Sequence, residues 1–555
     1  MNQPLINKIQ RAVIGDKQLV TTCFGSKPLT YADYTASGRS LDFIEDYIRE
    51  QVLPYYANTH TETSFTGAQT TKLREQARQI IREAVNGTSD DQIIFCGPGA
   101  TAAINKLIDI LNLRLPADLA ARYSLLEAIP REQRPVVFIG PYEHHSNELP
   151  WRESIAEVVA IPLTQDGLLD INALDQQLKI YRNRPQKIGS FSAASNVTGI
   201  KTNIGEVTKL LHKYDALSFW DYAAAAPYVT LDMNPAEHGC SMDAVFISPH
   251  KFVGGPGTPG VLVVKKHFLN NSVPTMPGGG TVLYVTPDDH QFLEDHERRE
   301  EGGTPAIVEA IRAGLVFKLQ QEVGTELIEQ KEHDFVQRAL SRWQSSENIE
   351  VLGNTEADRL SIISMRIKRQ GKDLHYGFVV ALLNDLFGIQ ARGGCSCAGP
   401  YGHSLLGMDM AYSKALEEQL AEGLMIFRPG WIRLNFNYFI DEQTFDYLLR
   451  AVELIAEFGW RLLPYYFFDK NSGTWRYQKK TISLPSDLNT FCFETMSAPR
   501  KSPITDIALT KYLEMASAEL QSDHCDKEHY PLAFPQATEH LRWFVLPQEV
   551  LDDLN

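Results

Sequence analysis

Cysteine is scarce in this chain, 7 among 555 residues, and only Cys395 and Cys397 stand close together. In a long chain with no sign of export, so few and so scattered thiols exclude a disulfide framework; a cysteine with a special role acts here as a thiol. Long apolar runs are missing too. No stretch reaches the ~18 uninterrupted apolar residues that a membrane span needs, and residues 1–13 lack the apolar core of a secretory signal, so a soluble cytoplasmic protein is expected. Basic residues are in deficit, 53 Lys and Arg against 69 Asp and Glu, for a net charge of −16. That balance repels a phosphate backbone, which excludes nucleic acid as a main partner, and no membrane partner is expected. Repeats and low-complexity tracts are absent. With 43% hydrophobic and 22% charged residues the composition is that of a folded protein, and at this length two or three structural units are expected.

Residues 69–85 place Leu73, Ala77, Ile80, Ile81 and Ala84 at helical spacing, which predicts an amphipathic helix. The apolar run 92–96, the break Gly97-Pro98-Gly99 and the helical pattern 100–111 predict strand, glycine turn, helix. Further apolar runs at 136–139, 155–163, 187–192, 217–220, 244–247 and 260–264 alternate with helix-like stretches such as 172–181 and 204–214. Runs buried on both faces and alternating with helices predict an α/β domain with a largely parallel sheet. Ligands of such sheets bind at the carboxyl ends of the strands. Past Thr304 a smaller α+β unit is predicted, with helices at 307–321, 327–343 and 376–387 and strands at 358–367 and 431–437. Beyond Trp460 the chain turns aromatic and irregular, with Pro499, Pro503, Pro531 and Pro535 and one helix around 507–520.

Asp221 closes the run 217–220, which sets a carboxylate at a strand end where water is excluded; a buried carboxylate needs a cationic partner. The next run, 244–247, leads into Ser248-Pro249-His250-Lys251 and then the turn Gly254-Gly255-Pro256-Gly257, which delivers a lysine to the same sheet edge. An aspartate and a lysine so placed suit pyridoxal 5'-phosphate, whose aldehyde needs a lysine for a Schiff base and whose ring nitrogen needs an anion. The helix start after Gly99 offers the N–H groups of Ala100 and Thr101 and the Thr101 hydroxyl to a phosphate, with Ser248 and His250 to close the cup. Singly, Asp221 reads as a turn former, Lys251 as a solvated lysine and Thr101 as a helix cap; their combination with the glycine turn is what points to a cofactor.

The series Gly99-Ala100-Thr101-Ala102-Ala103-Ile104-Asn105, Glu143-His144-His145-Ser146-Asn147, Ser195-Asn196-Val197-Thr198-Gly199, Asp221-Tyr222-Ala223 and Ser248-Pro249-His250-Lys251 resembles the class V aminotransferase superfamily of fold type I, most closely its cysteine desulfurase and selenocysteine lyase group. The resemblance spans roughly residues 31–458. It implies a large domain with a mainly parallel seven-stranded sheet, a smaller α+β domain and, in this chain, an extra C-terminal extension. The divisions it suggests are an N-terminal segment 1–45 packing with the small domain, a large cofactor-binding domain 46–305, a small domain 306–460 and an extension 461–555 without an assigned role. It also implies that Lys251 is the Schiff-base lysine, Asp221 the pyridinium partner and His144 the imidazole stacked on the cofactor ring. By the same resemblance Asn196 lies beside the cofactor's phenolic oxygen, and Thr101, Ser248 and His250 hold the phosphate. The segment Glu301-Gly302-Gly303-Thr304-Pro305 resembles the piece that reaches the neighbouring subunit's phosphate, which implies a homodimer. Arg392-Gly393-Gly394-Cys395-Ser396-Cys397-Ala398 resembles the loop of the persulfide-forming cysteine, with Cys397 at the matching position and Arg392, beside it, expected with Asn196 to bind substrate. Arg433 resembles the arginine that grips the substrate carboxylate, a task that suits a guanidinium fork.

Two departures stand out. The family usually has a glutamine three positions after the aspartate, where this chain has Ala224, and Cys395-Ser396 replaces the paired histidines common in the cysteine loop. The leading expectation is desulfuration of L-cysteine to L-alanine through Cys397, with sulfur passed on to an acceptor protein. The alternatives are another class V reaction, namely transamination, epimerisation or C–S or C–C cleavage of a different amino acid, and a non-enzymatic sulfur-relay platform. No metal is expected, because two thiols without a second pair make a poor tetrahedral site; His524 and Cys525 are read as a solvated turn. The insert 113–134 and the tail after Trp460 are additional to the minimal family domain.

Overall fold

The computed structural model describes residues 2–59, 61–481, 486–493, 508–524 and 526–554; Cys525, Pro499 and Pro503 lie outside them. Seven strands form one sheet in the order Asp91–Phe95, Val261–Lys265, Ala244–Ile247, Leu217–Asp221, Lys187–Ser192, Val136–Ile139, Glu157–Ala160. Val261–Lys265 is antiparallel to both its neighbours, and the remaining strands run in one common direction. The expected α/β domain with a mainly parallel seven-stranded sheet is therefore what the chain forms.

The reason lies in the period-2 alternation of strand side chains. Val136 and Phe138 enter one hydrophobic core while Val137 and Ile139 enter another on the opposite face, and the same division holds for Val245 and Ile247 against Ala244 and Phe246. A sheet buried on both faces needs apolar residues at every position, which is why these strands read as continuous apolar runs. The edge strand Glu157–Ala160 is the least buried of the seven.

A second sheet, entirely antiparallel, has the order Ile349–Val351, Ile362–Arg369, Trp431–Asn435, Arg392–Gly394, with Lys372–Asp373 added against Ile362–Arg369. The helices Tyr376–Phe387 and Glu442–Phe458 bury their apolar faces in its core. Glu442–Phe458 was not anticipated from the sequence, although Asp441 caps it by accepting from the Thr444 N–H at 2.7 Å.

The N-terminal segment touches both halves. Ile6 and Ile9 sit in the core of the large sheet, while Thr30–Tyr31 pairs in parallel with Ile389–Gln390. The chain after Trp460 is far more regular than its composition suggests. It forms the hairpin Tyr466–Asp469 with Thr474–Tyr477 and the helices Leu509–Gln521 and Pro547–Leu554. Trp475, Leu520, Phe544 and Val550 complete the same core as Phe378 and Leu382. His524, expected in a solvated turn, is instead buried, with Nε2 donating to the Glu519 carbonyl at 3.0 Å. Among the described residues no helix is long and apolar enough to cross a membrane.

Candidate active site

Asp221 is the last residue of its strand and is 4% exposed. Burial pushes its carboxyl group up, opposed by the Ala223 N–H that donates to Oδ1 at 2.8 Å and by the charge of Lys251. The next strand, Ala244–Ile247, runs through Ser248 into the single turn Pro249–Lys251, and so Lys251 arrives at the same sheet edge. Burial lowers the Lys251 ammonium to about 8, with Asp221 working in the other direction. A lysine with so lowered a pKa keeps a fraction of neutral amine at physiological pH, which makes it a usable nucleophile and base.

One end of the site is an anion cradle. The helix Gly99–Ile110 begins with Gly99 at φ +56°, and the Ala100 N–H donates to Ser248 Oγ at 2.9 Å. Thr101 Oγ1 and Ser146 Oγ share a hydrogen bond of 2.7 Å. His250, whose imidazole burial lowers to about 4, faces Gly99 so closely that a Cβ there would lie 2.9 Å from its ring. The neighbouring strand approaches this helix start through Gly260, where a Cβ would come within 2.0 Å of the Gly99 carbonyl oxygen. Small residues and hydroxyls here leave room for a phosphate-sized anion at a helix N-terminus.

The side wall is His144. Its Nδ1 accepts from the Ser146 N–H at 3.1 Å, and burial, reinforced by the charge of Lys251, lowers it to about 3, so the ring is neutral with its proton on Nε2. Behind it Glu143 accepts from Asn147 Nδ2 at 2.7 Å, the Ser192 hydroxyl at 2.7 Å and the Ser192 N–H at 2.9 Å. Burial raises Glu143 to about 7 in spite of these donors. This network ties two neighbouring strand ends together beneath the His144 loop.

The opposite end is cationic. Arg433 is 3% exposed; its Nη1 donates to the Asn196 carbonyl at 2.9 Å and its Nη2 pairs with Asp33 at 2.9 Å. Its Nε has no hydrogen-bond partner among the described residues. Asp33 was missed from the sequence because the two partners lie 400 positions apart. It is placed by its two chain neighbours, since the Tyr34 N–H donates to the Asn435 side-chain Oδ1 at 2.7 Å and the Asn435 N–H to the Ala32 carbonyl at 3.1 Å.

Lys251, Asp221, His144, Asn196, Arg433 and the anion-cradle residues line one cavity of about 200 Å3, together with Ala224 and Ser396. Every residue assigned from the sequence to cofactor or substrate lines it, including Arg392 at an exposed position, except Thr304. Thr304 is exposed, its Oγ1 accepting from Asn58 Nδ2 at 3.3 Å. Just before it, the side chain of Glu301 is buried between Arg74 and Arg78, with Arg78 donating at 2.9 and 3.0 Å.

Cys397 is also outside the cavity wall, but its loop closes over it. Asn196 Nδ2 donates to the Ser396 carbonyl at 2.8 Å, the His145 N–H to the Cys397 carbonyl at 2.9 Å and the Gly399 N–H to His145 Nε2 at 3.0 Å. Ser396 and Cys397 both adopt left-handed backbone, φ +51° and +57°. Asn196 and His145 thus join the two halves of the molecule at the loop.

A lysine, an aspartate, an imidazole wall and an anion cradle on the strand ends of a mainly parallel sheet define a fold type I pyridoxal phosphate enzyme. The donor set fits that cofactor at each end: a cradle sized for phosphate, a desolvated carboxylate for the ring nitrogen and a weakly basic amine for the aldehyde. Comparison with known proteins agrees. Residues 30–413 match the family model for aminotransferase class-V. The chain belongs to that family of pyridoxal phosphate-dependent enzymes. It is 30% identical over 381 residues to a probable cysteine desulfurase of Halalkalibacterium halodurans, covering 67% of this chain and 85% of that one. A probable cysteine desulfurase of Staphylococcus aureus is 28% identical over 396 residues, covering 70% and 87%. Among solved structures, the apo cysteine desulfurase of Thermococcus onnurineus superposes with a TM-score of 0.62 at 22% identity, over 77% of this chain and 95% of that one. The cysteine desulfurase CsdA of Escherichia coli gives 0.59 at 20% identity, over 77% and 94%.

Proposed function

We propose that this enzyme removes sulfur from L-cysteine, leaving L-alanine and a persulfide on Cys397. The observation that carries the reading is the docking of the Cys397 loop, through Asn196 and His145, onto the cavity that holds Lys251 and Asp221. Ala100, Thr101, Ser248 and His250 would hold the phosphate of pyridoxal 5'-phosphate, His144 its ring face, Asn196 its phenolic side, Asp221 its ring nitrogen and Lys251 its aldehyde. When bound, that group supplies an electron sink for the substrate's α-carbon.

The chain's own residues do the rest. Arg433 grips the substrate carboxylate with the N–H groups that Asp33 and Asn196 leave over, and Arg392 adds positive charge at the mouth. Lys251 Nζ takes the α-proton. Cys397 Sγ, as thiolate, attacks the substrate sulfur; the new S–S bond forms as the C–S bond breaks, its electron pair staying with the β-carbon, which takes up a proton, and Lys251 returns a proton to the α-carbon to give alanine. The same reading includes a homodimer in which Thr304 reaches the partner's phosphate, a sulfur-acceptor protein, a cytoplasmic location, and the divisions at residues 46, 306 and 461.

The test is alanine and sulfide release from L-cysteine with a thiol reductant, comparing wild type with Cys397→Ala at equal cofactor content. Alanine from wild type and none from the variant is the expected result; equal rates would refute a nucleophilic Cys397. The second reading, a different class V reaction, is favoured by Ala224, which lines the cavity where the family usually presents a glutamine. It predicts no alanine from a fully loaded wild type and turnover of another amino acid.

Cofactor uptake by the apoprotein should report Lys251 directly. Only the neutral amine adds to an aldehyde, and Lys251 titrates near 8. The uptake rate, followed by visible absorption, should rise about tenfold per pH unit below that value and level off above it. A flat profile between pH 6 and 8 would rule out this assignment.

A further inference from the structure

We infer that Trp543, in the segment that follows the small domain, is a positioning residue for the Cys397 loop. This rests on the reading of Cys397 as the accepting thiol. The loop carries two consecutive non-glycine residues in left-handed backbone, Ser396 and Cys397, a conformation that persists only where the surroundings over-determine it. Its front is held by Asn196 and His145. Its rear needs a wall as well.

That wall is Tyr376. A Cβ on Gly393, in the strand that enters the loop, would lie 2.8 Å from the Tyr376 ring; a Cβ on Gly430, just before the strand of Arg433, would lie 2.9 Å from the same ring and 2.7 Å from Gly394 Cα. The ring therefore rests directly on both backbone segments that frame the loop, and no side chain intervenes. Arg428, beside it, places Nη2 3.9 Å from the sulfur of Cys395.

Tyr376 is in turn backed by the His375 ring, stacked on it with centroids 4.5 Å apart at 28°, and by Trp543. The Tyr376 and Trp543 rings are parallel within 5°, centroids 6.1 Å apart, and Trp543 also stacks on His375 at 5.3 Å and 23°. Trp543 cannot slide, because its Nε1 donates to the Phe427 carbonyl at 3.1 Å and its backbone carbonyl accepts from the Asp373 N–H at 3.2 Å. The next link, the Val545 N–H to the Asp373 carbonyl at 2.9 Å, continues the pairing. Hence a residue of the extension backs, through the His375 and Tyr376 rings, the backbone on which the thiol is mounted. Trp543 is only half-buried and borders a cavity of about 290 Å3 shared with Gly430, Met408 and Tyr412, so its truncation enlarges an existing space rather than opening a new one in the core.

The experiment compares wild type, Trp543→Ala, Trp543→Leu and Trp543→Phe as full-length holoenzymes. In the alanine variant kcat for alanine release should fall about tenfold to a hundredfold, a larger change than any rise in KM for cysteine, since the thiol's loop rests on this backing more directly than the Arg433 side chain does. Iodoacetamide labelling of Cys397, read by peptide mass spectrometry, should rise about fivefold or more as the loop loses its backing, while labelling of buried Cys240 stays at the wild-type level. Trp543→Phe, which keeps an aromatic face, should restore both readouts; Trp543→Leu should match alanine and is read in its place if alanine does not fold. Unchanged Cys397 labelling, or labelling that rises only together with that of Cys240, overturns the inference. The labelling arm does not depend on desulfuration, so a wild type inactive on cysteine would refute the proposed reaction and still leave this comparison to decide the role of Trp543.

Discussion

Lys251→Ala is expected to lower turnover by at least about a thousandfold, the upper part of the range for losing a general base. Two losses coincide at one atom, because Nζ both meets the cofactor's aldehyde and takes the α-proton. Ala100 and Thr101 lie on another element, and Ser248, three residues before Lys251, keeps its backbone and hydroxyl in the variant, so the anion cradle is retained. The variant should therefore still retain cofactor through its phosphate, measurable by dialysis, but with the absorption of a free aldehyde. Turnover near the wild-type rate would remove Lys251 from the mechanism.

Arg433→Ala is the second large effect, and it has two parts. Breaking a buried pair leaves Asp33 and the Asn196 carbonyl without their donor, at a cost of about 3 kcal/mol; Asp33, whose side chain is 17% exposed, recovers some hydration. Removing charged hydrogen bonds to the substrate carboxylate should raise KM by about tenfold to a hundredfold. Arg433→Lys should not rescue, since a single compact nitrogen cannot reproduce the planar fork whose separate Nη1 and Nη2 reach Asn196 and Asp33. Thermal denaturation and steady-state kinetics separate the parts: a KM rise without a fall in Tm would mean that Asp33 finds another partner.

The large sheet was legible because its strands are buried on both faces. The runs 136–139, 187–192 and 244–247 coincide with the strands Val136–Ile139, Lys187–Ser192 and Ala244–Ile247 residue for residue. The site was legible for the same reason, as Asp221 and Lys251 are read straight from where strands stop. What escaped depends on contacts between distant segments. Asp33 looks like any loop acid until Arg433 is placed beside it. The tail reads as irregular because its aromatic residues have no period of their own; they fill gaps in a core that belongs to the Tyr376–Phe387 helix. The Cys397 loop was found by its motif, but its backing by Tyr376 and Trp543 has no local signal.

The position of Val261–Lys265, between Ala244–Ile247 and Asp91–Phe95, has a consequence for how the protein is made. Phe95 pairs with Val261, so the strand that leads into the anion cradle cannot join the sheet until the ribosome has delivered residues some 170 positions later. Asp33 waits longer still, for Arg433. Such distant pairings are slow to form, and chain that emerges early stays exposed meanwhile. The substrate-carboxylate end of the site is thus among the last parts of the molecule to be finished, and a nascent chain halted before residue 433 holds all seven strands of the large sheet yet lacks Arg433.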